Sequence, residues 1–478
     1  MRPRLELLEP AMVERMLAEA FQLLMEPGVR VAPSAVELLG SADARVEDGV
    51  AHIPEGLARN ALAHAPREFW LYSRDGKPVV HYGGDDVHFD PGSSCLNILD
   101  AETLRPRPAL AADLVRLVQV TEMLPQFAAQ ATAMVCNDIP QQAGDFYRLF
   151  LVLWYSSKPV VTGAFTAAGL KPMLELLAVD AGGAEALRSA PRAVFDVCPS
   201  PPLNWSEFAA DNLVELARAG VPVEIVSMPL AGATAPVTLA GSVVQHAAEC
   251  ISGITLHQLA SPGAPIVWGG APAIFDMRTG TTPMGAIETA MLDMACAQVG
   301  KHLGLPTHAY LVAGDGKLVD AQAGMESGIS CVLGALAGIN MISGAGMLDF
   351  LACHSIEKLV IDAEAIASAQ RLLCGIEARG ETLATAMFAQ AGLSGDFLKL
   401  KETRALFRAE QHFPSAVIER GGPQSSGMTD TFERARRRVT ELLSRYHRPN
   451  IRPEVECEMR QLAEKELWRC GRDSLIGV

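Results

Sequence analysis

The chain has 478 residues, 49% of them hydrophobic and only 6% aromatic, with 41 glycines and 18 methionines. That composition suits an Ala/Leu/Val-rich α/β enzyme and excludes both a disordered chain and an aromatic-rich β-sandwich. A formal net charge of −15 repels phosphate backbones and no basic stripe offsets it locally, so nucleic acid is not expected as a partner.

The first 29 residues carry charges through their apolar stretch (Glu14, Arg15, Glu19), which predicts an amphipathic helix of the mature protein and not a secretory signal. Residues 1–110 read as a mixed α/β segment packed on the rest, with short strands at 68–72 and 79–84, ending in the Pro/Arg-rich run 104–108. Short apolar runs then recur, each followed by a small-residue loop and a helical pattern, which is the punctuation of βα units. Strands are predicted at 131–136, 160–165, 193–197, 223–227, 265–268, 308–312 and 339–343, with an eighth hidden nearby. Convincing helices lie between them, such as 206–219, which stops at Gly220, and 287–303, which stops at Gly304 and Pro306. Parallel strands with helical crossovers over about 250 residues favour a closed (β/α)8 TIM barrel over residues 111–380. Residues 381–478 read as a charge-rich C-terminal helical extension.

The uncharged run 327–348 is long enough to span a membrane, but its five glycines and Asn340 suit a buried helix, a turn and a buried strand, so no membrane span is expected. The ten cysteines occur without a C-x-x-C pair and read as reduced thiols of a cytoplasmic protein. His81, His246, His257, His308 and His354 never fall into ligand spacing with each other or with cysteine, so no metal is expected.

In such a barrel the working face is the carboxyl end of the strands. The loops there are rich in small residues, and Gly232, Gly269, Gly270, Gly344 and Gly346 are candidates for close backbone approach to a large flat cofactor; tight βα turns are the plainer explanation. Three tryptophans near predicted strand ends, Trp154, Trp205 and Trp268, are candidates for a box around a quaternary ammonium, with ordinary core packing as the alternative. Asp276 is a candidate for orienting a cation, or for a turn with Arg278. The segment DGKLVDAQAGME at 315–326 concentrates polar groups, and Asp320, Gln322 and Glu326 are candidate catalytic, substrate-orienting residues.

At these positions the chain resembles the trimethylamine methyltransferase family, and specifically members without pyrrolysine, of which glycine betaine methyltransferases are the known type. The resemblance spans the chain. It includes Met25-Glu26-Pro27-Gly28-Val29, Cys198-Pro199 with Pro202-Leu203, the stretch 236–259 beginning PVTLAG, and Pro262-Gly263-Ala264. It continues through Val267-Trp268, Phe275-Asp276, Asp320 with Gln322-Ala323-Gly324 and Glu326, ALAGINMISGAGML at 335–348 and LVID at 359–362. Asp315, Lys317 and Asp320 match the family's D-x-K-x-x-D segment but follow Val312-Ala313-Gly314 directly, so the family's pyrrolysine has no counterpart here.

The resemblance implies a methyltransferase that moves a methyl group from a quaternary amine, such as glycine betaine, to the Co(I) of a corrinoid carried by a separate partner protein docked over the barrel mouth. The leaving group is then a neutral tertiary amine and needs no Lewis acid. His354 stands where the trimethylamine enzymes have an aromatic and is a candidate to receive the donor's carboxylate. A homo-oligomer is expected of an apolar, Gly-rich barrel. On the residues alone, a barrel lyase or decarboxylase and a non-catalytic betaine-binding homologue stay open.

Overall fold

The computed structural model describes residues 2–92, 94–166, 168–422, 429–472 and 474–478. Eight short parallel strands alternate with helices: β1 (His88–Pro91), β2 (Gln130–Ala131), β3 (Val160–Thr162), β4 (Ala193–Val197), β5 (Val223–Ser227), β6 (Ile266–Gly270), β7 (His308–Tyr310) and β8 (Met341–Ala345). The principal helix after each strand is α1 (Ala111–Glu122), α2 (Gly144–Tyr155), α3 (Leu170–Ala181), α4 (Glu207–Ala219), α5 (Leu239–Ala260), α6 (Ile287–His302), α7 (Ala321–Leu336) and α8 (Ile356–Leu373). The fold is α/β. One sheet runs in the order β6-β5-β4-β3-β2 and another in the order β7-β8-β1. Between them, Trp268 bridges Thr307 in parallel at one seam. At the other, the Ala128 amide donates to the Phe89 carbonyl over 3.0 Å.

The strands are nearly continuous apolar runs because both of their faces are covered, as parallel sheets require. Helix ends follow local chemistry. Ser206 caps α4 by accepting from the Ala209 amide, and Gly220 ends it at φ +70°, a left-handed conformation that a side chain disfavours. All seven strands predicted from apolar runs are present, with matching bounds at 193–197 and 223–227 and shifted bounds in the other five. The run 131–136 is strand only at Gln130–Ala131, since the chain beyond it turns into loop. The eighth is His88–Pro91, which pairs in parallel with β8 through Met341↔His88 and Ile342↔Phe89. Its single apolar side chain between His88 and Asp90 gave hydropathy nothing to detect. The uncharged run 327–348 is the end of α7, a turn at Gly338 and β8. Among the described residues no helix is long and apolar enough to cross a membrane.

An antiparallel hairpin, Phe69–Tyr72 with Pro78–Tyr82, closes the amino ends of the strands. Its Leu71, Val80 and Tyr82 pack in one cluster with Val161, Val194, Val267 and Met341, one residue each from β3, β4, β6 and β8. A buried charge triad anchors it. Asp180 accepts from Arg74 Nε and Arg192 Nε, each over 2.8 Å, and Arg192 also donates to the carbonyls of Tyr72 and Ser157. Burial alone would raise the Asp180 carboxyl, but the two guanidiniums hold it below the usual carboxylate range. In the flanks, Pro10–Met25 buries Val13, Leu17, Ala20 and Leu24 along one stripe. The C-terminal helices Thr431–Arg445 and Pro453–Arg469 pack on α8 and α1 and on α3 and α2. All ten cysteines are free, six of them buried.

Replacing Asp180 with Ala leaves two guanidiniums buried without their counter-charge. Urea denaturation is expected to show a loss of roughly 3–5 kcal/mol with an unchanged slope.

Candidate active site

The side chains that alternate along the strands sort into layers from the amino to the carboxyl end. On β4, Val194 joins the apolar cluster at the hairpin, Asp196 lies one layer higher and Cys198 is exposed. The same step on β8 runs from Met341 to Ser343 and on β6 from Val267 to Gly269. The middle layer is polar and almost wholly buried: Asp90, Glu224, His308 and Ser343 are 0–2% exposed. Tyr82 donates to Glu224 Oε1 over 2.5 Å, Tyr310 to Asp196 Oδ2 over 3.2 Å and Ser343 to Asp90 Oδ1 over 2.5 Å. His308 Nε2 lies 3.1 Å from Ser343 Oγ; the hydroxyl's one proton goes to Asp90, so the imidazole nitrogen is the donor to it.

No lysine or arginine pairs with Asp90, Asp196 or Glu224 among the described residues. Burial therefore drives the carboxyls upward. Asp196 is pushed up to about 6, and Glu224 is raised well above its usual value by burial and by the neighbouring Asp196 charge. Asp196 Oδ1 and Glu224 Oε2 both lack a donor, and one proton held on Glu224 and shared with Asp196 satisfies both. Asp90 is likewise raised by burial, and its Oδ2 lacks a partner. Burial lowers His308 to about 3, so the ring is neutral. With Asp196 and Glu224, His308 also forms a group whose ligand atoms lie within 4.8 Å of one another. Burial pushes the Cys198 thiol up to about 12 although the residue is exposed. The exposed Cys198 and the half-buried Asp196 below it open the carboxyl end of the strands to solvent.

The structure spreads the residues predicted from sequence over several places. Gln322 and Glu326 do come together, Nε2 to Oε1 over 2.8 Å, but Glu326 Oε2 accepts from the Asp315 amide and Asp315 itself holds the amides of Met284 and Gly285. These bonds fasten the loop after β7. Asp320 caps α7 by accepting from the amides of Gln322 and Ala323. Asp276 is committed to Arg278 in a turn, and that guanidinium brings its carboxyl down to about 2.

The three tryptophans form no box. Trp154 packs tilted against Phe150 and faces Arg448 and Arg460; Trp205 donates to Ser252, and Trp268 to the Cys296 carbonyl. Each ring fills the layer between strands and helices, where Gly253 makes room for Trp205 and Gly300 for Trp268. His354 is fully buried against Gly346 and lowered to about 3 by burial, so it has no charge to offer a carboxylate.

The glycines admit the protein's own atoms. A Cβ at Gly269 would meet His308, at Gly270 His246, at Gly344 the Leu311 carbonyl and at Gly346 His354; Gly232 faces Met277 and Val237 on a loop. The interior group of Asp90, Asp196, Glu224, His308 and Tyr310 escaped a search confined to loops. Its signal was present as charges inside the buried runs AVFDV and VEIVS, where an apolar strand has no use for a carboxylate.

Beside the layered α/β scaffold and its buried carboxylate layer, comparison places the chain in a family of methyltransferases. The family model described as trimethylamine methyltransferase (MTTB) matches residues 1–467, and the chain belongs to that family. It is 32% identical to a trimethylamine methyltransferase of Methanosarcina mazei, covering 93% of this chain and 92% of that one. A glycine betaine methyltransferase of Desulfitobacterium hafniense is 27% identical over 96% of both chains. Among solved structures, the Methanosarcina barkeri monomethylamine methyltransferase superposes with a TM-score of 0.52 at 12% identity, covering 92% of this chain and 89% of that one. At that identity the likeness concerns the fold.

The raised Asp196 carboxyl makes a signed prediction. Its folded value of about 6 lies above the unfolded one, so the stability it lends is complete at low pH and is lost as pH rises through 6. The unaltered chain is expected to lose about 1–2 kcal/mol more than Asp196→Asn between pH 5 and pH 8, read by urea denaturation at both. Parallel losses in the two proteins would contradict the assignment.

Proposed function

We propose that the eight parallel strands close into one (β/α)8 barrel running from about residue 88 to residue 380. The open carboxyl end above its carboxylate layer takes a quaternary amine and passes one N-methyl group to the Co(I) of a corrinoid carried by a partner protein. Closure is supported by the hydrogen-bonded seams at Trp268–Thr307 and Phe89–Ala128, and by a hairpin cluster that draws on strands of both sheets. The first strand then comes from the segment 1–110, with the rest of that segment and residues 381–478 as appendages.

The observation that supports the substrate class is a carboxylate layer without a basic partner beneath the open carboxyl end of the strands. A permanent cation compensates that layer at every pH, whereas a tertiary amine does so only as its protonated ammonium form, which holds no free electron pair on nitrogen. Protonation of Glu224 and Asp90 leaves Asp196 as the charge that orients the cation, with the Tyr310 ring beside it. Three ionised carboxylates would stabilise the bound cation more than a transition state in which positive charge is disappearing, and would slow transfer. In the step itself the Co(I) electron pair forms the Co–CH3 bond, and the N–CH3 pair returns to nitrogen. The amine leaves neutral and no proton moves. The family's pyrrolysine has no counterpart after Gly314, and a glycine betaine enzyme stands among the relatives; together these support a betaine donor.

The corrinoid is the second substrate, and the rim suits a large partner. Leu96, Phe165, Val237, Met277 and Leu318, in loops after strand ends, and Met325, in the first turns of α7, are 44–69% exposed. Asp315, Gln322 and Glu326 act as positioning groups for the loop that ends β7.

The test mixes the protein with cob(I)alamin and, in turn, glycine betaine, other betaines, choline and trimethylamine. Methylcob(III)alamin is expected from a quaternary donor and not from trimethylamine, with kcat/KM rising through about pH 6 and the rise abolished in Asp196→Asn. Alkylation by trimethylamine alone would overturn the substrate class; no alkylation by any donor, with the native corrinoid protein supplied, would overturn the reaction.

A further inference from the structure

Val312 lies two residues beyond the end of β7, where the chain enters the loop at the carboxyl end of the strands. Its φ is +63°, and among the described residues it is the one β-branched side chain in the left-handed region. A branched side chain is strained there and stays only where its surroundings over-determine it. Here they do. The residue is wholly buried and both of its backbone polar groups are held. The Val312 amide donates to Ser330 Oγ over 3.0 Å, and its carbonyl accepts from Ser327 Oγ and from Lys358 Nζ, each over 3.1 Å. The amides that follow are held as well: Gly314 donates to the Met347 carbonyl over 3.1 Å and Asp315 to Glu326 Oε2 over 2.8 Å.

Lys358 is one of a buried pair on α8. Its Nζ lies 2.6 Å from Asp362 Oδ2 and donates to Ser327 Oγ over 2.7 Å, and both side chains are 1% exposed. Asp362 Oδ2 also accepts from the Gly346 amide over 2.7 Å, and Gly346, in the turn after β8, has φ +85°. Each member of the pair thus holds one left-handed residue, at the ends of two neighbouring strands. Those strands supply donors to the carboxylate layer, Tyr310 of β7 to Asp196 and Ser343 of β8 to Asp90.

We infer that Lys358, with Asp362, is a positioning residue for methyl transfer. It fixes how β7 and β8 end, and through them the hydroxyls of Tyr310 and Ser343 and the backbone on which the methyl donor is aligned. At 1% exposure it does not itself meet the donor. Stability alone does not account for the pair, because desolvation consumes most of the attraction and an apolar pair of the same volume would serve as well. An apolar pair would offer neither a donor to the Val312 carbonyl nor an acceptor to the Gly346 amide. The inference rests on the reading that the donor meets Asp196.

The test compares Lys358→Met in the natural chain and in Val312→Gly, because glycine takes a positive φ without being held there. With cob(I)alamin and glycine betaine, Lys358→Met is expected to lower kcat at least about 100-fold with valine at 312 and less than about tenfold with glycine. KM should move less than about threefold, since the donor's own contacts remain. Ser327→Ala leaves the ion pair in place and should lower kcat roughly tenfold with the same split, which keeps the test open if Lys358→Met does not fold. Amide hydrogen exchange needs no methyl donor. In Lys358→Met, or in Ser327→Ala, it should quicken at least about tenfold over 311–318 while α7 and α8 stay protected. Equal losses of kcat with valine and with glycine, a loss confined to KM, or exchange that quickens throughout α7 and α8 would each overturn the inference. Localised exchange without alkylation by any donor in the unaltered protein would leave the clamp standing and overturn its part in methyl transfer together with the reading of the site.

Discussion

Negative charge taken out of water without a positive partner is the constraint around which this interior is organised. Asp90, Asp196 and Glu224 meet inside the strands, and what makes that tolerable is a set of hydroxyl donors from different parts of the chain. Tyr82 comes from the hairpin, Tyr310 from β7 and Ser343 from β8. The hairpin is held in turn by the Arg74–Asp180–Arg192 triad, so two buried charge systems of opposite design lie close in the fold. In the triad the charges compensate one another and the result is rigidity. In the interior they do not, and a proton or a cation has to complete the layer.

The small residues at the strand ends follow from the same crowding. Gly269 is a glycine because His308 occupies its Cβ position, and Gly344, at φ +122°, because the Leu311 carbonyl does. Glycine-rich loops beside an active centre are easily read as room for a ligand, but here the room is already filled by the protein. The tryptophans follow the same logic. Their N–H groups are buried and donate to Ser252 and the Cys296 carbonyl, so the rings belong to the packing that carries the site and not to the site.

The two ends of the strands are finished differently. Phe165, Met277 and Met325 stand exposed beyond the carboxyl ends, and the hairpin packs its Leu71, Val80 and Tyr82 at the amino ends. The carboxyl ends also receive the amino ends of the helices, where Asp320 and Ser355 cap α7 and α8. Fixed backbone there lets the intervening loops differ in sequence while the strands keep their register.

The sequence by itself determined the α/β class, seven strands, the helix ends at Ser206 and Gly220, and the family, because each is written in local periodicity, capping chemistry or contiguous motifs. Strand β1 was illegible because burial by its neighbours, and not its own hydropathy, makes HFDP a strand. Only the tertiary structure decided the site. Asp196 and Glu224 are 28 residues apart in the chain and become one protonation system only when β4 and β5 align Asp196 beside Glu224 in parallel register. A carboxylate's pKa is set by the charges and solvent around it, and those neighbours come from strands that the linear order keeps apart.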